Sequence, residues 1–191
     1  MSELDSLGGD GDHGTAMHNA IQNIRKCDPP ADSDIAVILN RIGDCFLEGD
    51  GGASGGLLGS FFLGAGSQCA GVRELETASL SNAFGSGLQA MQRYTKAKRG
   101  DKTMLDALEP AVLALAQAST RGDDLTVALE EAAEAAAQGA SETKNMQARF
   151  GRAQYAGTRT IGWQDPGATT IALFFQGVAS ALKQKTRTEH G

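Results

Sequence analysis

The chain has 191 residues, 41% of them hydrophobic and 21% charged, with a formal net charge of −6. That length is expected to form one domain, residues 1–191, with a real core. The acidic balance excludes a basic nucleic-acid footprint, no apolar run reaches the roughly 18 residues that cross a bilayer, and the acidic, glycine-rich start is no signal peptide. Cys27, Cys45 and Cys69 are odd in number and lack C-x-x-C spacing. They read as small core filler in a reducing cytoplasm, without a disulfide framework or a zinc site.

Helical periodicity dominates and strand-like alternation is nearly absent. Met17, Ile21 and Ile24 share one helix face. Asp32, Ser33 and Asp34 offer caps for a helix carrying Ile35, Leu39, Ile42 and Phe46 along one stripe. Leu57, Leu58, Phe61, Phe62 and Ala65 predict a more apolar helix, with Gly64 and Gly66 allowing close packing. Leu80, Phe84, Leu88 and Met91 mark a fourth helix, and Leu105, Leu108, Val112 and Leu115 a fifth. The Ala- and Glu-rich run from Asp124 to about Gln138 is a sixth on propensity alone. Thr143 to Gly157 reads as irregular with a helical turn. Ile171, Phe174, Phe175, Val178 and Leu182 mark the last helix, with Asp165 as its cap and Pro166 in its first turn. The fold class is therefore all-α, an antiparallel helical bundle or barrel of about seven helices joined by short loops. The chemistry-bearing residues fall in those loops.

The stretch LDSLGGDGDHGTAM places Asp5, Asp10 and Asp12 within eight residues, among Gly8, Gly9, Gly11 and Gly14. Three carboxylates so close repel unless a cation lies between them. Oxygen ligands suit a hard cation, and Mg²⁺ is usually held by a few carboxylates plus substrate phosphates. An EF-hand is excluded, because Ile21 stands where its bidentate Glu is required. The plainer alternative is an N-cap at Asp12 with two solvated aspartates. His13 is a candidate phosphate donor or proton carrier, or a polar residue at a helix start; no residue is assigned a catalytic role.

Gly49 to Gly56 (GDGGASGG) leads into the apolar third helix, so its bare amides can cradle an anion, with Ser54 adding a hydroxyl. It lacks the Gly-Lys-Ser/Thr of a Walker A loop. Lys98 to Met104 (KRGDKTM) reads as a helix start with solvated charges. Arg152 can grip a phosphate through its fork of donors or form a surface ion pair. Gly85 to Ala90 matches a dinucleotide fingerprint but lies within a helix with no strand before it, so close packing explains it better. Trp163 is too isolated to interpret.

Together the motifs LDxxxGDGDHG, GGASG, GDKTMLDAL and GRAxYxGxRxxGxQDPGA, in this order, resemble the nucleotide-binding L-subunit family of dihydroxyacetone kinases, including the matching domain of single-chain forms. The resemblance covers nearly the whole chain. It implies an all-α barrel with ADP or ATP bound at one rim. It implies that Asp5, Asp10 and Asp12 hold two Mg²⁺ ions against the phosphates, with His13, Gly14 and Thr15 nearby. Ala53 and Ser54 would contact the phosphates. Met104 would pack on the adenine, with Arg152 and the Asp165-Pro166-Gly167 turn completing the pocket. Family barrels have eight helices, one of them before the acidic loop. Here Asp5 is almost at the N-terminus, which leaves truncation, a displaced start or completion by a partner segment as explanations. Ala16 and Thr95 stand where the family usually has Asn and Gly.

The implied activity is Mg-dependent phosphoryl transfer to dihydroxyacetone held on a separate K-type subunit. The donor is either ATP or a phosphotransferase-system phosphocarrier that recharges a resident ADP. Alternatives are a kinase subunit for another ketose such as erythrulose, or a regulatory module that binds a transcription activator. A homodimer is compatible with this reading.

Overall fold

The computed structural model describes residues 11–27, 29–30, 32–49 and 52–189, so Asp5 and Asp10 lie outside the described residues. Among the described residues there is no strand. Seven α-helices follow one another in the described residues: α1 (His13–Lys26), α2 (Ile35–Glu48), α3 (Gly52–Gly66), α4 (Thr77–Gln92), α5 (Leu105–Arg121), α6 (Leu125–Glu142) and α7 (Pro166–Glu189). Two 3₁₀ segments, Thr143–Asn145 and Arg152–Thr160, lie between α6 and α7. The expected irregular stretch is thus mostly single-turn helix, interrupted at Gly157, whose φ of 58° no ordinary side chain favours.

The helices start where capping chemistry dictates. Asp34 accepts from the Val37 amide at 2.9 Å and from the Gly71 amide of the neighbouring α3–α4 connection at 3.0 Å. Glu76 and Ser79 form a capping box at α4. Asp124 accepts from the amides of Thr126 and Val127 at α6. Gly122, with φ 75°, ends α5 in the left-handed conformation.

α3 is apolar nearly all round because it sits between α2 and α4. Its glycines cost helix propensity, and at Gly55, Gly59, Gly64 and Gly66 close approach of neighbouring atoms explains them. A Cβ on Gly59 would lie 2.6 Å from Leu47 Cγ, and one on Gly64 would lie 2.5 Å from Ala90 Cβ. The fingerprint look-alike at residues 85–90 is interior to α4, where Gly87 lies against Phe61.

α5 and α6 are packed closer still. Pro110 lies inside α5 and has no N–H to offer the Asp106 carbonyl. Gly139 of α6 sits directly on that carbonyl, with no room for a Cβ. This is why α6 runs past the expected end near Gln138: Gly139 is a contact residue there, not a stop.

Six of the seven phenylalanines fill the centre. Phe46 of α2, Phe61 and Phe62 of α3, Phe84 of α4, and Phe174 and Phe175 of α7 form a chain of ring contacts with centroids 5.2–6.3 Å apart. The apolar stripes thus converge inside an up-and-down array. Parity then puts the start of α1 and the α2–α3, α4–α5 and α6–α7 connections at one end. The long connections, residues 93–104 and 143–165, are both there. The Cys27 and Cys45 thiols touch at 2.9 Å, and all three cysteines are free. No helix of the described residues is long and apolar enough to cross a membrane.

Candidate functional site

The end that carries the long connections encloses a cavity of about 700 Å³. That is within the range of small-molecule sites. Four groups of residues meet in it: Asp12 and His13 before and at the start of α1, Gly52 to Ser54 opening α3, Lys102 to Leu105 leading into α5, and two stretches before α7, Phe150 to Ala153 and Trp163 to Gly167. Apolar surface comes from Leu47, Leu57, Leu63 and Ala97. Of the sequence candidates, Asp12, His13, Ala53, Ser54, Met104, Arg152, Asp165, Pro166 and Gly167 line this one space. Gly14 and Thr15, in the first turn of α1, are outside its lining.

Each wall has its own construction. The first amides of α3 have no helical acceptor, and Gly52 enters with φ 53°. They make this wall an anion-favouring one. Asp12 and Arg152 face each other at 3.4 Å, both largely exposed, so the pair is loosely held and weak. His13 is buried, with Nε2 2.8 Å from the Thr170 hydroxyl of α7.

The Met104–Gly167 surface is closely packed. Met104 is buried at the start of α5. Gly167 packs against it: a Cβ on Gly167 would come 3.3 Å from Met104 Cβ. Asp165 caps α7 as expected, accepting from the Ala168 amide at 2.7 Å. Its own amide donates to the Thr143 hydroxyl at 2.8 Å. Burial pushes the Asp165 carboxyl up to about 7, and the neighbouring Asp106 carboxylate adds to this. The Ala168 and Gly167 amides and Lys102 pull the other way.

The turn at residues 98–104 corrects the sequence expectation. Lys102 is not solvated; it is 5% exposed. Asp106, one turn into the motif, is buried too. It accepts from the Gly100 amide at 2.5 Å and the Thr103 amide at 2.7 Å, folding the turn back on the helix. Sequence reasoning had no handle on this, because nothing local distinguishes a buried lysine or aspartate from a wet one. Trp163 also gains a place, on the cavity wall.

Comparison with known proteins agrees with the motifs. The DAK2 domain matches residues 8–180. The chain is 40% identical over 185 residues to the PEP-dependent dihydroxyacetone kinase, ADP-binding subunit DhaL, of Escherichia coli, covering 96% of this chain and 88% of that protein. It is 37% identical to human triokinase/FMN cyclase, of which it spans only 32%. The crystal structure of the dihydroxyacetone kinase of C. freundii in complex with AMP-PNP and Mg²⁺ superposes with a TM-score of 0.70 at 29% identity. That match covers 94% of this chain and 30% of the other. With a domain match over most of its length and a full-length relative at this identity, the chain belongs to the DAK2 domain family.

Proposed function

We propose that this chain is the nucleotide-binding, phosphoryl-transferring subunit of a dihydroxyacetone kinase. The observation that carries the reading is the cavity of about 700 Å³ in which four separate motifs meet at one end of the helix array. Asp12 and the bare amides that open α3 line it together with apolar surface from Met104, Leu47, Leu57 and Leu63. That is the division a nucleotide needs: cation and amides for the phosphates, apolar surface for the base. The ADP-binding designation of the E. coli relative and the AMP-PNP and Mg²⁺ in the C. freundii enzyme support it.

Asp5, Asp10 and Asp12 would hold Mg²⁺, as two ions. The carboxylate of Asp12, largely exposed at the cavity, fits an oxygen-preferring cation. Bound there, Mg²⁺ supplies neutralisation of phosphate charge. His13, Gly14, Thr15, Ala53 and Ser54 surround the phosphates, and the α3 amides orient the transferring group. Met104 and the Asp165-Pro166-Gly167 turn flank the base, and Arg152 closes the rim.

The acceptor is dihydroxyacetone on a separate K-type subunit, so this chain alone binds nucleotide and phosphorylates poorly. Because the relative at 40% identity is the PEP-dependent one, we assign ADP as a retained coenzyme recharged by a phosphocarrier. Mixing the chain with a K-type subunit and ATP alone is then expected to give no sustained turnover. Adding the phosphotransferase proteins and phosphoenolpyruvate is expected to restore it. An erythrulose-type acceptor is the second reading, favoured by a 28% identical relative named L-erythrulose kinase; exchanging the K-type partner separates the two.

Titration calorimetry of ADP with and without Mg²⁺ tests the core of this. Wild-type protein is expected to bind only with the metal present. Asp10→Ala is expected to lose at least ~100-fold in affinity, about 2.7 kcal/mol. Equal affinity in that variant refutes the metal assignment.

A further inference from the structure

Lys102 is the non-glycine residue with a positive φ, 61°, among the described residues. A side-chain-bearing L-residue is disfavoured in that conformation, so something must hold it. Its ammonium donates to the carbonyl oxygens of Thr143 at 2.6 Å and Trp163 at 2.5 Å. Burial weakens its hold on the proton, while the nearby Asp165 and Asp106 carboxylates strengthen it. Those two carboxylates are tied down in turn, Asp106 to the amides of Gly100 and Thr103, Asp165 to that of Ala168. One cation therefore joins three segments distant in sequence: the turn before α5, the end of α6 and the turn before α7.

The position of this junction matters. Met104 follows Lys102 by two residues, and Gly167 follows Trp163 by four. Met104 and Gly167 meet on the cavity wall. The ammonium holds the Trp163 carbonyl from the Met104 side, so it bridges the two pieces of that wall. An ordinary surface ion pair would be screened and loose. A buried cation with charge-assisted bonds to two carbonyls is not.

We propose that Lys102 is a positioning residue that ties the 98–104 turn to the 163–167 turn and so fixes the surface, between Met104 and Gly167, on which the nucleotide base rests. The proposal builds on the nucleotide reading of this cavity. It is specific to the base side, since the phosphate side is made by Asp12 and the start of α3.

The test uses the full chain, wild type, Lys102→Met and Lys102→Arg, each checked for helical content at the working temperature. Mg-ADP and Mg-pyrophosphate are titrated separately. Lys102→Met is expected to lose ten-fold or more in Mg-ADP affinity while Mg-pyrophosphate affinity stays within two-fold. Lys102→Arg, which keeps the charge and the donors, is expected to recover most of the loss. Trp163 is the single tryptophan and is half-exposed on the cavity wall, so its emission reports further loosening of the 163–167 turn. In ligand-free Lys102→Met it is expected to shift to longer wavelength. No loss of Mg-ADP affinity, an equal loss for both ligands, or an unchanged Trp163 spectrum overturns the proposal. If wild type takes up no Mg-ADP, the nucleotide reading fails, and the ligand-free Trp163 spectrum still decides whether the tether exists. Should Lys102→Met not fold, nitrogen NMR of lysine-labelled wild type replaces it. An ammonium signal protected from solvent, moved by Mg-ADP and not by Mg-pyrophosphate, is expected; one that exchanges freely overturns the tether.

Discussion

Asp165 serves two structures at once, the first turn of α7 and the wall of the cavity, and its burial has a measurable consequence. Its carboxyl is raised from 3.8 to about 7, chiefly by desolvation. Between those values the unfolded chain has released a proton that the folded chain keeps, so rising pH removes stability across that window. Asp165→Asn retains an oxygen for the Ala168 amide and abolishes the titration. Urea midpoints measured from pH 5 to 7.5 should therefore fall more steeply for wild type than for Asp165→Asn. Parallel slopes would show a carboxylate ionised throughout. The cap was legible in the sequence, because Asp before Pro at a helix start is a local signal. Its perturbed acidity was not, because the desolvation and the Asp106 and Lys102 charges come from segments far away in the chain.

At the scale of elements, the α5–α6 contact is the tightest seam in the molecule. Gly139→Ala would drive a methyl into the Asp106 carbonyl, and overpacking of this kind costs about 1–3 kcal/mol. Because Asp106 also folds the 98–104 turn, the same change is expected to weaken Mg-ADP binding, which Gly122→Ala at the far end of α5 is not. Denaturant unfolding and calorimetry on both variants check this. Phe175, fully buried where α7 meets α4, is expected to cost about 3–5 kcal/mol as Ala. Six of the helices were readable from the 3.6-residue spacing of Leu, Ile, Met, Val and Phe, and α6 from its Ala- and Glu-rich propensity alone. The end of α6 was not, since Gly139 looks like a terminator until α5 is seen against it. The 3₁₀ segments also escaped, because their residues carry no apolar period and are held by hydrogen bonds such as Ala148 amide to Thr160 hydroxyl.

For the whole molecule, four motifs scattered from Asp12 to Gly167 come to one end because an up-and-down array alternates direction at every helix. Their order in the chain pointed to a shared site, since every second connection of such an array shares an end. The burial of individual residues was not legible, and Lys102 was missed for that reason; Trp163, half-exposed on the cavity wall, carried no local signal at all. A ligand that engages all four groups should stabilise the entire array. At about 100 times its dissociation constant, ADP with Mg²⁺ would add about 2.7 kcal/mol. For a chain of this size that is roughly 5–10 °C in melting temperature. The shift is expected to vanish with EDTA, and differential scanning calorimetry would show it. Persistence of the shift in chelator would mean that the nucleotide is held without metal.

α7 begins at the cavity and runs 24 residues away from it, about 36 Å at the usual helical rise. A fluorophore, surface anchor or fused protein joined after Glu189 therefore emerges on the side facing away from the mouth. Immobilising the chain through that end should leave the cavity mouth open to solvent.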